Sequence, residues 1–270
     1  MENLPANKQF YNRAGSENGF YYPSKEEKQN HPYADYLRGA IARHQLKNQK
    51  VLEIGSGIGA FQDFIADYTG TDFSETVTSN YHKPFFCADA KTLPFPDNTF
   101  DAVFTHAVLE HIPDPEKALK EMRRVLKSGG ILLLHAAWHV PWFASEGYTV
   151  RQYAELPPVK KVKKVCAHLW KHPLSRALDI VTCRFIILLR HLLFGSPKLH
   201  YKKRTANYET FWCSDSDACN SIDQLEAGIW FVKQGDEWIA PGSALKKFFM
   251  VRGELELRIN KDDPAIQSTL

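Results

Sequence analysis

Val51-Leu-Glu-Ile-Gly-Ser-Gly-Ile-Gly59 is the stretch on which the fold turns. An apolar run carrying one acid, Glu53, enters a turn with glycines at 55, 57 and 59. Glycine takes positive φ without strain and lets backbone N–H groups come close to a ligand. A strand feeding such a turn holds a nucleotide-like molecule at the carboxyl end of an open α/β sheet. Spacing narrows the choice. A dinucleotide fingerprint reads G-x-G-x-x-G, whereas this turn reads G-x-G-x-G, one residue short. An acid just ahead of the glycines repels a pyrophosphate at close range and suits a ligand with a positive amino group.

S-adenosylmethionine, a zwitterion with a sulfonium cation, fits both facts. Val51–Gly59 resembles motif I of class I S-adenosylmethionine-dependent methyltransferases, and further motifs follow in the family's order. Thr71-Asp72-Phe73-Ser74 resembles the end of the second strand. Cys87-Ala-Asp-Ala90 and Leu93–Asp101 resemble the adenine segment. Phe104–Pro113 and Ala118–Leu134 resemble the fourth strand, the next helix and the fifth strand. The resemblance runs over residues 48–136 and is greatest to the "type 11" small-molecule branch. It implies that the backbone of Gly55, Ser56, Gly57 and Gly59 holds the methionine part. Glu53 then orders the turn or reaches the amino group. Asp72, with Phe73, takes the ribose diol, and Asp89, with Ala90, takes the adenine amine. His106, after the fourth strand, also counts among the cofactor-site residues.

From Lys50 short apolar strands alternate with amphipathic segments: strands at 51–54, 70–72, 85–87, 102–105 and 131–134, and helices at 60–67 and 115–125. Alternating elements with strands apolar on both faces predict a doubly wound, mostly parallel sheet. The expected architecture is α/β: a seven-stranded Rossmann-like sheet with a helical cap inserted before the last two strands. Helices are expected at 33–45, 178–194 and 214–227, a sixth strand within 229–239 and a final antiparallel strand within 247–260. The chain divides accordingly. Residues 1–45 form an arm and helix over the cofactor site, with Phe10, Tyr11, Phe20, Tyr21 and Tyr22 to close it. Residues 46–137 form the cofactor-binding core, 138–213 an acceptor cap, and 214–270 the last helix and strands.

The 270 residues are 44% hydrophobic with a net charge of +3, enough for a sizeable core and too little charge to imply nucleic acid. The five cysteines show no C-x-x-C pairing, which favours free thiols and excludes a zinc motif; no metal is expected. Met1-Glu-Asn-Leu-Pro5 has no charged-then-apolar leader, and the expected location is the cytoplasm. Lys160-Lys-Val-Lys-Lys164 precedes the apolar run 180–194, which holds Arg184 and Arg190. That run is too short and too charged to span a bilayer. A basic patch beside an apolar helix fits peripheral membrane contact through 160–194. The competing expectation is a cap helix burying its apolar face on the sheet or on a second subunit. Oligomeric state stays open.

Methyl transfer is an in-line displacement in which positioning contributes much of the rate. A hydroxyl acceptor must also lose a proton, and histidine is the natural base. Of four histidines near strand ends, position favours His106 and His139 as catalytic candidates. His111 is read as support for the cofactor loop and His135 as a core residue. Trp138, Trp142 and Phe143 are candidate walls for the acceptor. Tyr208–Asp223, with Phe211, Trp212, Asp215, Asp217 and Asn220, fits a reader of hydroxylated acceptors or plain capping duty. The leading expectation is O-methylation of a small-molecule, sugar or lipid-linked acceptor. N- or C-methylation, aminopropyl transfer and a catalytically degenerate binding protein are the alternatives.

Overall fold

The computed structural model describes residues 5–16, 23–144, 148, 151–195, 197–208, 215–240, 243–249 and 253–261. Five strands run parallel: β1 (Lys50–Ile54), β2 (Asp67–Asp72), β3 (Phe85–Cys87), β4 (Phe100–His106) and β5 (Leu126–His135). A two-residue ribbon follows, β6 (Lys202–Lys203) against β7 (Asn220–Ser221). The closing strands β8 (Glu237–Ala240) and β9 (Leu255–Arg258) pair antiparallel, and β9 lies antiparallel on β5. The seven-stranded order is β3-β2-β1-β4-β5-β9-β8. Sequence order reverses between β1 and β4. Ligands bind in the crevice outside the carboxyl ends of strands at such a reversal.

The strands alternate strictly between two cores. Val51, Ala102, Phe104, Ile131 and Leu133 pack with Tyr33, Leu37 and Ile41 of helix α3 (Pro32–Arg43), behind α1 (Ala6–Ser16) and α2 (Lys25–Gln29) in the chain. Leu52, Ile54, Val103, Leu132 and Leu134 face the opposite way. They meet Leu119 and Met122 of α4 (Pro115–Val125). Period-2 patterning within strands that are buried on both faces produces this division. Asp114 caps α4, its Oδ1 accepting from the Lys117 N–H, and Pro115 opens the first turn.

Residues 158–194 form a hairpin of two helices, α5 (Pro158–Trp170) and α6 (Pro173–Phe194). Its orientation reverses the usual amphipathic rule. The fully buried Arg184 donates from Nε to Asp223 Oδ2 at 3.0 Å and from Nη1 to the Phe248 carbonyl. Arg190 pairs with buried Glu226, and His191 Nε2 lies 2.9 Å from the same carboxylate. Ile180 and Ile187 turn inward beside Arg184, but the wider apolar face points outward: Val159 is 71% exposed, Leu174 74%, Leu192 82% and Phe194 76%. The expectation that this apolar face packs on the sheet is therefore corrected. A buried charge persists only when paired, so the two arginines dictate which side of α6 turns inward. Among the described residues no helix is long and apolar enough to cross a membrane.

Other expectations also change. In place of a helix at 60–67, a single 3-10 turn (Gln62–Phe64) joins β1 to a β2 that begins at Asp67. The Gln62 side chain donates to the Gly59 and Asn80 carbonyls, and Ile65 is already extended (φ −132°, ψ 134°), which ends the turn. The helix expected over 214–227 is instead α7 (Gln224–Lys233). Asp223 caps it, accepting from the Leu225 N–H at 2.6 Å. The strand expected within 229–239 is only its second half, β8. Trp230 and Phe231 are buried residues of α7, because a helix buried on several sides lacks the polar stripe that marks helical periodicity. Within 247–260, α8 (Ala244–Phe249) precedes β9.

Candidate functional site

The three glycines after β1 all sit in the left-handed region, at φ +67° (Gly55), +53° (Gly57) and +66° (Gly59). A Cβ on Gly55 would meet Val108 Cγ2 at 2.2 Å. The turn is tied to the end of β2. The Ser56 N–H donates to the Thr71 carbonyl at 2.9 Å, and the Gly57 N–H to Asp72 Oδ2 at 2.8 Å. Tyr81 closes it from the far side, its hydroxyl 2.7 Å from both Ser56 Oγ and the Gly57 carbonyl.

Asp72 is buried, and its second oxygen accepts from the Ser74 N–H at 2.9 Å. Burial pushes its carboxyl above the ordinary range, opposed by those N–H groups and by the Lys28 ammonium of α2. Glu53 is deeper still. Tyr68 donates to its Oε2 at 2.5 Å, and burial raises its pKa to about 8 against the pull of Tyr68 and Lys28.

A cavity of about 110 Å³ opens at the carboxyl ends of β1, β2 and β4. Gly55, Asp72, Phe73, Asp89 and Ala90 all line it. Asp89 keeps Oδ1 on the Lys91 N–H at 2.9 Å, with Lys91 Nζ 3.5 Å from Oδ2. Glu53, Ser56, Gly57 and Gly59 lie behind this wall and brace it rather than line it. Helix α1 covers the mouth with Asn7 and Tyr11. It is fastened by Lys8 to Glu75 at 2.7 Å and by Thr76 Oγ1 donating to the Asn12 carbonyl at 2.8 Å. Phe20, Tyr21 and Tyr22, expected to share this role, lie outside the described residues, as do Phe211 and Trp212.

The histidines separate. His111 lines the cavity, its Nδ1 3.1 Å from Asp217 Oδ2, an oxygen that also accepts from the Tyr11 hydroxyl at 3.0 Å. Burial acts to lower its pKa, but the carboxylates of Asp217 and Glu110 outweigh it and the net shift is upward. His106 does not line the cavity. It stacks on Tyr33 at 4.0 Å between ring centroids and packs 4.7 Å from His135, and burial pulls its pKa down to about 2. Those surroundings make it a weak base. The Nδ1 of His135 has no hydrogen-bond partner among the described residues, and burial lowers its pKa to about 4. His139, at φ +61°, stands in a different cavity with Nε2 2.5 Å from Asp223 Oδ2. The two catalytic candidates are thus not brought together. Tyr11, named in the aromatic N-terminal arm, lines the cavity, whereas Lys91 and Val108 line it without having been singled out from the sequence.

Among the described residues no group of three His, Cys, Asp or Glu side chains could hold a metal ion. Cys87, Cys166, Cys183 and Cys219 are free thiols.

Residues 52–134 match the sequence family described as methyltransferase domain. Over 122 residues the chain is 35% identical to a demethylmenaquinone methyltransferase of Corynebacterium urealyticum, covering 42% of this chain and 53% of that protein. It is 32% identical over 124 residues to a sterol 24-C-methyltransferase of Gibberella zeae, covering 37% of this chain and 33% of that protein. Of solved structures, the YcgJ protein of Bacillus subtilis shares 27% identity over 39% of this chain and 52% of its own, with a TM-score of 0.36. The chain spans between about a third and about half the length of these two curated relatives.

Proposed function

We propose, from the premise that residues 52–134 carry a class I methyltransferase domain, that this chain moves a methyl group from S-adenosylmethionine to an apolar, membrane-borne acceptor. The observation that carries the reading is the cavity at the sheet's point of reversal, with Asp72 and Asp89 both on its wall. Gly55 leaves no room for a Cβ there, so the turn is shaped for close backbone approach. Asp72 keeps lone pairs for a ribose diol beyond the two N–H groups it holds, and Asp89 stands ready for an exocyclic amine. Glu53, enclosed behind the wall, stiffens the turn through Tyr68.

The cofactor supplies an electrophilic methyl on sulfur. Gly55, Asp72, Phe73, Asp89 and Ala90 would hold the cofactor, and the acceptor would have to approach that methyl in line with the sulfur. Helix α1 excludes water over the cofactor, and Tyr11 holds that helix to Asp217. The acceptor class rests on the hairpin. The exposed residues Val159, Val162, Leu169, Leu178, Phe185 and Leu192 offer an apolar surface, and Lys160, Lys161 and Lys163 beside it complement an anionic leaflet. The relatives' names, a menaquinone precursor and a sterol, are of the same acceptor class.

Oxygen was the first expectation for the acceptor atom. The name of the sterol enzyme supports a second reading, carbon. Titration calorimetry with S-adenosylmethionine and its demethylated product tests the core of the proposal. Micromolar binding of both is expected, with Asp89→Ala weakening each at least tenfold. No binding to either would favour a degenerate scaffold.

A further inference from the structure

A second cavity, of about 280 Å³, lies between the segment after β5, the end of α5, the start of α6 and the β6–β7 ribbon. Four cations line it, Lys171, Arg176, Lys202 and Arg204, against one acid, Asp179. Two indoles, Trp142 and Trp170, stand partly exposed beside them, 37% and 41%. Among the described residues none of the four cations forms an ion pair. Arg204 is fixed in place, with Nε and Nη2 donating to the Val140 carbonyl at 3.2 and 3.1 Å. Lys202 Nζ reaches only the Cys183 sulfur, at 3.7 Å. Lys171 sits over the Phe143 ring, 6.0 Å from its centroid. Asp179 contacts that same thiol at 3.8 Å and attracts Arg204, so a single carboxylate faces four cations.

Cations grouped in a concave site raise the local concentration of anions, and low-dielectric walls sharpen that field. Arginine and lysine side chains meet phosphate oxygens with charge-assisted hydrogen bonds. Indole faces beside them bind flat or aliphatic groups. We propose that this cavity binds a phosphate ester whose organic part lies against Trp142 and Trp170. The site does not rest on methyl transfer, but the chain connects it to the first cavity. Glu110, next to His111, accepts from the Ala137 N–H at 3.1 Å, and His139 lines the second cavity two residues further on. An amphiphile held by its phosphate here would keep its apolar part near the exposed hairpin.

Calorimetry of the full chain with phenyl phosphate, without S-adenosylmethionine, tests the inference. Saturable single-site binding is expected, with benzyl alcohol at least tenfold weaker. Arg176→Gln and Lys171→Gln should each weaken phenyl phosphate at least fivefold. Lys47→Gln, an equal charge change on an exposed residue of the 3-10 turn before β1, should stay within twofold. Equal binding of benzyl alcohol, or unchanged affinity in both cavity variants, overturns the proposal. A competition arm assigns the source of the ester. If neutral phosphatidylcholine vesicles doped with phosphatidic acid displace phenyl phosphate and Arg176→Gln removes that effect, the ligand is a lipid headgroup. If only soluble esters compete, it is a free phosphate ester. Both results uphold the site, whatever the outcome with the methyl donor.

Discussion

The turn after β1 and the hairpin α5–α6 both bury ionisable groups and expose opposite things. At the turn, Glu53 and Asp72 are enclosed and braced by Tyr68 and by backbone N–H groups, and the surface left over is a polar-rimmed cavity. In the hairpin, Arg184 and Arg190 are drawn inward to Asp223 and Glu226, and the surface left over is leucine, valine and phenylalanine. Breaking a buried pair by deleting one partner costs far more than exposing a leucine. In the hairpin the paired charges therefore choose the inward face, whereas at the turn hydrogen-bond donors hold the buried carboxyls. One region consequently presents a site for a small polar ligand, and the other a face for an apolar surface.

At the turn, the largest expected loss comes from Gly55→Ala. The left-handed backbone costs a non-glycine residue about 1–2 kcal/mol, and the overlap with Val108 adds about 1–3 kcal/mol of overpacking. Urea unfolding should show the loss, and calorimetry should show binding of S-adenosylmethionine gone. Adding Val108→Ala should return only part of the stability, because it relieves the clash and not the φ of +67°. Full recovery in the double variant would mean that the backbone conformation costs nothing.

Burial of Glu53 gives a smaller effect with a definite sign. Its folded pKa of about 8 lies above the ordinary 4.5, so the folded chain binds more protons between those values. The stability this group contributes is complete below about pH 4.5 and is lost as pH rises through 8, by at most about 1.4 kcal/mol per pH unit. Asp72 is shifted in the same direction. Between about pH 7 and 8, above the window in which His106 and His135 add stability as pH rises, melting temperature should fall with pH, and Glu53→Gln should flatten that slope. An equal slope in the variant would show that the wild-type carboxyl is ionised throughout.

Legibility in the sequence follows the same division. β1, its glycines and α4 were readable because each rests on local rules: an apolar run, positive φ and a capped amphipathic stripe. The 60–67 segment misled because Ala60, Phe61 and Ile65 have helical spacing, yet tertiary contacts bury all three beside an extended connection. Asp72, Phe73, Asp89 and Ala90, singled out through the resemblance of their motifs, line one cavity. The histidines were legible only in part. His111 was read as support for the cofactor loop and lines the cavity. The strand-end position of His106 suggested a base, and only packing shows its ring stacked on Tyr33 away from the cavity. Nor could one chain's periodicity tell which side of α6 faces in, since that depends on Asp223 and Glu226, far along the sequence.

The smallest expected effect on stability is the most telling for the hairpin. Leu192 is 82% exposed, whereas Ile187, five residues earlier on the same helix, is 8% exposed and packs with Leu225 and Trp230 in the sheet's core. Leu192→Glu should change the unfolding free energy measured in urea by no more than about 0.5 kcal/mol, as surface substitutions do. Ile187→Glu, which buries an unpaired carboxylate, should unfold the chain. The two variants must also part company on membranes. Leu192→Glu removes one apolar contact and adds a charge repelled by an anionic leaflet, so it should cosediment with phosphatidylglycerol vesicles several-fold less than wild type while still binding S-adenosylmethionine. Sedimentation velocity supplies the competing outcome. If wild type dimerises without lipid and Leu192→Glu is a monomer with vesicle binding unchanged, the face covers a second copy of this chain, and the acceptor need not be membrane-borne.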